Sequence, residues 1–413
     1  MDNVTKHNTP ALRFEGFDGE WDTKVFGAVV TRSSTTSAEP ALPRLEYEDI
    51  ISGVGVLNKD LNRKESLKEG LLFGPGDVLY GKLRPYLKNW LRPDFHGIAV
   101  GDFWVLQSLT ADPSFLYQLI QTPMFDAITS VSSGSKMPRA DWKLVSQAPM
   151  AFPSIPEEQR AIGELFSDLD ALIEQHRAKH MNLQQTKTAL LQRMFPRDGT
   201  DEPELRLDGF SGAWEIQPFS DLVAYRGHNS LSRADLTEVP TSAMNIHYGD
   251  ILVKYDSVVD VSQTDIPFVR DVERLSNVSR QSLSDGDVLF ADAAEDSTVG
   301  KCVEVQGISD NLVIAGLHTI SARPVRAFAP GFLGHALNAP SFHNQLLSKM
   351  QGTKVSSISI STLAETVFSF PTLEEQRAIG EVFSDLDALI AAEHRYITQL
   401  TRAKTALLQR MFV

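Results

Sequence analysis

The sequence predicts an α+β protein in which two globular domains are joined by two long helices forming an antiparallel coiled coil, with an internal pseudo-twofold repeat. Three observations predict it. The chain repeats itself with near-identical ends, each repeated end carries an apolar stripe at heptad spacing, and charge runs from acidic to basic along both stripes.

The repeat comes first because it fixes the organisation. Glu157–Phe195 returns as Glu374–Phe412, and the ungapped match keeps 26 of 39 residues. Upstream, Leu12-Arg-Phe-Glu-Gly-Phe-Asp-Gly-Glu-Trp21 returns as Leu205-Arg-Leu-Asp-Gly-Phe-Ser-Gly-Ala-Trp214. Between these markers the copies share only islands: Gly76–Tyr80 with Gly286–Phe290, and Gly134-Ser135-Lys136 with Gly352-Thr353-Lys354. Like ends and unlike middles predict a common frame carrying two different binding surfaces. The divisions are 1–152 for the first domain, 153–195 for its long helix, 196–204 for a linker, 205–370 for the second domain and 371–413 for the second helix. The linker holds Pro196, Gly199, Pro203 and five charged residues, which ends the first helix and leaves the second copy to fold separately. Within the domains, short Val/Ile/Leu/Phe runs such as Gly76–Leu83 and Asp287–Phe290 read as strands, and helices are expected at Pro113–Ile128 and Pro330–Met350.

The repeated ends start like helices. Ser154 stands three residues before Glu157 and Thr372 three before Glu375, the spacing of a capping box. Downstream, Leu169, Ile173, Leu183, Leu190 and Met194 fall on one stripe with His176, His180 and Lys187. In the second copy Leu386, Ile390, Ile397, Leu400, Leu407 and Met411 do so with Glu393 and Lys404. The middle of the seam is therefore polar. Residues 157–174 carry six acids and one base, whereas 175–195 carry four bases and no acid; 374–391 and 392–412 follow the same order. A parallel pair would set acid beside acid, so antiparallel pairing is favoured, with the apolar seam supplying most of the attraction. The alternative is two solvated helices, each packed on its own domain.

Composition narrows the function. In 413 residues, 39 Lys and Arg stand against 53 Asp and Glu, giving a net charge of −14, and the single cysteine, Cys302, excludes disulfide scaffolds and Cys-rich zinc sites. The first residues lack the apolar core of a signal peptide, and no apolar run reaches the roughly 18 residues of a membrane span, so a cytoplasmic protein with no membrane partner is expected. Gly76-x-x-x-x-Gly81-Lys82 matches most of a phosphate loop, but Leu83 stands where a Ser or Thr must reach magnesium. No other catalytic set is evident, and no metal site is expected. In the second copy Asp292, Glu295 and Asp296 precede Lys301. They read as a solvated acidic turn, then as a carboxylate accepting from a cytosine amino group, and last as a magnesium site.

The positive signal is Leu79–Phe95, where Lys82, Arg84, Lys88 and Arg92 alternate with Tyr86, Trp90 and Phe95. Such a stripe can neutralise phosphates, while Arg and the amide of Asn89 can reach base edges. An ordinary amphipathic hairpin with solvated bases fits the same residues. A second basic loop, Gly134-Ser135-Lys136-Met137-Pro138-Arg139, precedes the long helix, and Gly352-Thr353-Lys354 recurs in its place.

Taken together, the Leu-Arg-x-x-Gly-Phe-x-Gly-x-Trp segments, the helix starts Glu158-Gln159-Arg160 and Glu375-Gln376-Arg377, the common ending Lys-Thr-Ala-Leu-Leu-Gln-Arg-Met-Phe and the run Ala315–Arg323 resemble the specificity subunit of Type I restriction-modification systems over nearly the whole chain. The resemblance implies a subunit that is not itself an enzyme. Its two target-recognition domains would each read half of a bipartite double-stranded DNA target, and its helices would act as a spacer scaffolding two methyltransferase subunits, with restriction subunits joining for cleavage. It also implies no cofactor on this chain, with S-adenosylmethionine, ATP and Mg on the partners. The DNA-binding candidates are Lys82, Arg84, Tyr86, Lys88, Gly134, Ser135, Lys136 and Arg139 in the first copy, and Lys301, Gly352, Thr353 and Lys354 in the second. The competing readings are a coiled-coil scaffold pairing two protein-binding domains without DNA readout, and an autonomous nuclease.

Overall fold

The repeated motifs at the two ends of each copy meet in space. In the computed structural model, which describes residues 8–61, 67–131, 137–197, 199–275, 278–309, 311–350, 352 and 355–413, Arg13 donates to both carboxylate oxygens of Glu158 and Arg206 to both of Glu375. The next residue of each helix bridges loop to loop. Gln159 accepts from the Asp112 amide and donates to the Pro153 carbonyl, and Gln376 does the same with Ala329 and Pro371. Glu-Gln therefore repeats because each side chain ties the long helix to its own domain.

The chain divides into two compact units, Met1–Arg177 with Arg395–Val413, and Ala178–His394, so the division falls inside the long helices. In the first unit, β1 (Asp22–Val25) pairs with β10 (Pro149–Phe152). The strands β2 (Val30–Arg32), β6 (Val78–Gly81), β7 (Trp90–Leu91) and β9 (Phe103–Ser108) form a sheet in the order β2-β9-β6-β7. The strands β3 (Thr36–Ser37), β4 (Arg44–Leu45), β5 (Gly70–Phe73) and β8 (Gly97–Ala99) form another in the order β3-β5-β8-β4. The near-continuous apolar run Val78-Leu79-Tyr80 is buried on both faces, as its lack of alternation requires. The segment that mimics a phosphate loop is thus an interior strand.

In the second unit, β11 (Glu215–Pro218) pairs with β23 (Val367–Phe370). The five-stranded sheet runs β12 (Val223–Arg226), β21 (Thr319–Pro324), β17 (Val288–Ala291), β19 (Cys302–Gln306), β15 (Val258–Asp260). The four-stranded sheet runs β13 (Leu236–Thr237), β16 (Phe268–Val269), β14 (Ala243–Ile246), β20 (Leu312–Ala315), and β18 (Ala293–Ala294) pairs with β22 (Ser356–Ser357). Both units use one mixed-sheet plan, including a parallel pair, β4 with β8 and β14 with β20. Helix and strand content together make an α+β fold. Expected helices appear in pieces, α1 (Pro113–Leu119) followed by Pro123–Thr129, and α3 (Phe332–Asn338) followed by Pro340–Leu347, because a proline interrupts each.

The long helices are α2 (Pro156–Arg193) and α4 (Leu373–Met411). Thr372 caps α4 by accepting from the Glu375 amide at 3.4 Å, but the Glu375 carboxylate binds Arg206, so the reciprocal half of the expected box is absent. At α2 no hydrogen bond among the described residues joins Ser154 to the helix. Pro156 sets the start, its missing N–H and fixed φ suiting the first helical position.

Within the first unit, Lys404 lies 2.6 Å from Asp170 and the rings of Tyr396 and His176 are 4.5 Å apart. Within the second, Lys179 meets Glu393 and Lys187 meets Asp387, each at 2.5 Å. In both sets the partner's number falls as the residue number rises. The stripe residues Leu169, Ile173, Leu183, Leu190 and Met194, and Leu386, Ile390, Ile397, Leu400, Leu407 and Met411, are buried or half-buried. Helix ends finish in domain cores: Phe412 packs on Trp21, Phe115 and Phe166, and Phe195 on Trp214, Phe332 and Phe383. The linker is held rather than loose, since Glu204 binds both Arg193 and Arg197. Among the described residues no helix is long and apolar enough to cross a membrane.

Candidate nucleic-acid interface

In the first unit the candidate cations collect where β6 ends and β9 begins. The last β6–β9 pair is Gly81 with Phe103, and the ladder continues one step, the Lys82 amide donating to the Asp102 carbonyl at 2.9 Å. The phenol of Tyr47 fixes this corner by donating to the Asp102 carbonyl at 2.5 Å and accepting from the Leu83 amide at 3.1 Å. Burial pushes its pKa up, so it stays a hydroxyl. Leu83 bridges to Arg139 and the Ala140 amide donates to the Lys82 carbonyl, which brings the second basic segment alongside the first.

One acid then serves two bases. Asp102 lies 3.5 Å from Lys82 through Oδ1 and 2.9 Å from Arg139 through Oδ2. Lys88 is 3.8 Å from Asp126, and Arg84 is exposed with no side-chain partner among the described residues. The cluster keeps a basic balance. Its outermost part is the turn Pro85–Leu87, bracketed by two left-handed residues, Arg84 at φ 50° and Lys88 at φ 55°. Such backbone costs a non-glycine residue roughly 1–2 kcal/mol. Four main-chain hydrogen bonds hold it: Arg84 to Pro138, Leu87 to Arg84, Lys88 to Pro85, and Gly53 to the Lys88 carbonyl. Tyr86 is left 59% exposed at its tip.

Part of the expected stripe does not reach the surface. Trp90 is buried, Phe95 packs edge-on against Phe73 at 5.5 Å, and Asn89 is buried with its Oδ1 accepting from Ser52. Asn89 and both residues of β7, Trp90 and Leu91, are consecutively buried, while Phe95 lies beyond the strand in a bend. The aromatic interleaving is mostly core, and the Asn89 amide is not aimed at a ligand.

The second unit builds the same corner from different residues. Ala291 pairs with Thr319, the Asp292 amide donates to the His318 carbonyl at 3.0 Å, and the Ile358 amide donates to the Asp292 carbonyl at 2.9 Å. The acid now sits on the first strand and the base on the second: Asp292 Oδ1 is 3.1 Å from His318 Nδ1. Lys301 departs from its assignment as a DNA contact. Its ammonium donates to the carbonyls of Leu252 and Tyr255, and burial lowers its pKa. Asp296 caps its own turn, accepting from the Thr298 amide and hydroxyl, bonds that hold its carboxyl below the usual range. Among the described residues no group of three or more His, Cys, Asp or Glu could hold a metal.

Gly352 is at φ 107°, a conformation open to glycine, while Gly134, Ser135, Lys136, Thr353 and Lys354 lie outside the described residues. Sequence reading missed Asp102, Tyr47 and His318 as members of these corners. Each comes from a segment remote from the basic stripe, and only the strand pairing brings them in.

Residues 308–402 match the family model described as Type I restriction modification DNA specificity domain. Among curated proteins, the chain is 26% identical over 204 residues to the putative type I restriction enzyme MjaX specificity subunit of Methanocaldococcus jannaschii, covering 48% of this chain and 45% of that protein. It is 20% identical over 342 residues to the type I restriction enzyme MjaVIII specificity subunit of the same organism, covering 81% and 74%. It is also 29% identical over 107 residues to the type I restriction enzyme EcoDI specificity subunit of Escherichia coli, covering 25% and 24%. The matched stretch thus spans less than half the length of the MjaX relative. Two solved structures share the fold. One is a chain from work on complex assembly and conformational transition of the type I R-M system (TM-score 0.55, 18% identity, 95% of this chain and 97% of that one). The other is the Type-I restriction-modification system S subunit from M. genitalium (TM-score 0.55, 12% identity, 98% and 99%).

Proposed function

From a chain that carries a Type I restriction-modification specificity domain and is related to the Type I specificity subunits, we propose that it is the DNA-reading, non-catalytic subunit of a Type I restriction-modification complex. Each unit reads one half of an asymmetric, interrupted target. The two long helices pair as an antiparallel coiled coil about a pseudo-twofold axis, set the gap between the half-sites and scaffold two methyltransferase subunits; restriction subunits complete the assembly. S-adenosylmethionine, ATP and magnesium belong to those partners.

The observation that carries this reading is the exposed turn Arg84–Lys88, held in a strained backbone beside Arg139 and presenting cations around Tyr86. Backbone strain maintained by surrounding hydrogen bonds is characteristic of sites that must present side chains in fixed geometry. Cations neutralise phosphates, and guanidinium groups read guanine edges bidentately. Two corners of like backbone and unlike charge suit two unlike half-sites.

The test is to map methylated adenines in cells that express the partner methyltransferase with and without this chain. Methylation confined to one bipartite sequence, and present only with the chain, is expected; a pattern independent of the chain would refute the reading.

A further inference from the structure

We propose that the second unit recognises its half-site through Asp292 and His318, and that this couple selects a base edge offering an exocyclic amino group, cytosine N4 or adenine N6. The proposal rests on the DNA-reading function above and specifies which chemistry the second half-site must present.

The argument starts from position. Lys82 and Asp102 follow the final β6–β9 pair of the first unit, and Asp292 and His318 follow the final β17–β21 pair of the second. Each corner has the same cross-strand hydrogen bond, 2.9 and 3.0 Å, and each first residue accepts through its carbonyl from the strand-like segment before the long helix, Ala140 or Ile358. The two sites occupy the same place in the fold with acid and base exchanged.

The exchange changes what the corner can bind. Lys82, Arg84 and Arg139 are donors only. In the second unit an imidazole that gives its Nδ1–H to Asp292 Oδ1 exposes Nε2 as an acceptor, and Asp292 Oδ2 has no partner among the described residues. Both free atoms are acceptors. Asp102 in the first corner is neutralised by Lys82 and Arg139, whereas Asp292 has no Lys or Arg partner among the described residues. Such a carboxylate repels phosphate and suits a donating base edge, and the major-groove edges that donate are those of cytosine N4 and adenine N6.

The pair is also placed for contact. The His318 side chain is half exposed and that of Asp292 about a quarter. His318 is held at φ 55°, and the residue after it is anchored by the buried Thr319 hydroxyl donating to the Gly316 carbonyl at 2.6 Å. The Tyr248 ring meets the imidazole edge-on at 5.2 Å and limits its rotation.

The experiment is selection from a randomised duplex library by the full chain in complex with its methyltransferase, comparing wild type with Asp292→Asn and His318→Asn. Asparagine tolerates the left-handed backbone at 318 and keeps the shape of the side chain at 292, so a variant that fails to fold leaves the other as the readout. The expected result is that each variant lowers discrimination about tenfold at one and the same position of one half-site, where wild type prefers cytosine or adenine, and leaves the other half-site intact. Unchanged preference in both variants, or a uniform loss across all sequences, would overturn the assignment while the wild-type selectivity preserved the DNA-reading function. A wild-type complex without selectivity would remove that function and this inference together.

Discussion

Arg13 and Glu158, 145 residues apart in the chain, are joined by two parallel hydrogen bonds of 2.6 and 2.7 Å, with the Glu158 side chain wholly buried. Trp21 adds a third donor to the same carboxylate at 3.2 Å. The second unit repeats the ion pair with Arg206 and Glu375 at 2.9 and 2.8 Å. The motif that opens each copy is therefore the receptor for the motif that opens each long helix. Removing one partner of a buried pair leaves the other charge uncompensated, so Glu158→Ala should cost about 3 kcal/mol. Urea unfolding checks the size, and hydrogen exchange should localise the loss to the first unit; equal loss of protection in both would contradict the clamp.

Gly163 offers a sharper geometric test. A Cβ added there would stand 1.9 Å from the Ser114 hydroxyl and 2.8 Å from the Phe115 amide, because α2 crosses the start of α1 at close range. On an open helix surface Gly→Ala stabilises by about 1 kcal/mol. Here overpacking should reverse the sign, and Gly163→Ala is expected to destabilise by about 1–3 kcal/mol. Gly380→Ala should cost less, its nearest contact being the Pro330 carbonyl at 2.9 Å. A stabilised Gly163→Ala protein in thermal unfolding would show that the crossing is looser than described.

The second unit should be more acid-sensitive than its architecture requires. His335 is fully buried with both ring nitrogens unpartnered among the described residues, stacked on Phe383 at 4.9 Å. Burial, and then nearby Lys187, lower its pKa to about 3. Asp387 lies 3.8 Å away but is paired with Lys187. A folded-state pKa held below the ordinary 6.5 contributes stability that is present above pH 6.5 and lost as pH falls toward about 3, because only the unfolded chain takes up the proton. His335→Gln, which keeps a polar side chain but removes the titrating ring, should reduce the drop in unfolding midpoint between pH 7 and pH 5. An unchanged drop would mean that other groups govern it.

Readout by the first unit should depend on Arg84 and Tyr86 without disturbing the second. Arg84→Ala is expected to weaken binding, and where it contacts phosphate the slope of log affinity against log salt should fall by about 0.9. Tyr86→Ala should lower selectivity at the first half-site only, since its ring lies outside the core. Binding titrations over a salt series with half-site-scrambled duplexes would detect either effect, and a change at both half-sites would argue against modular reading.

The spacer reading has its own test. Deleting one heptad from each long helix, residues 178–184 and 389–395, keeps the seam in phase and shortens the pair by about 10 Å at about 1.5 Å per residue. At about 3.4 Å per base pair the gap between half-sites should shrink by about three base pairs. Both half-sequences should remain, and an unaltered gap in the methylation map would refute the ruler.

The sequence by itself determined the elements whose logic is local or periodic. The heptad stripes from Leu169 and Leu386 follow from spacing, because one turn of helix decides which side chains share a face, and the repeated Glu-Gln-Arg starts are legible from the repeat itself. Exposure within the basic stripe was not legible in this way. Trp90 and Phe95 alternate with cations whether they point to solvent or to core, and only packing sent them inward. The same holds for charge assignment. Lys301 and Asp292 lie near each other in sequence, yet the fold turns one toward main-chain carbonyls and sets the other against His318, 26 residues on. Pairing across a sheet depends on strand register, a property of the assembled chain that no single segment encodes.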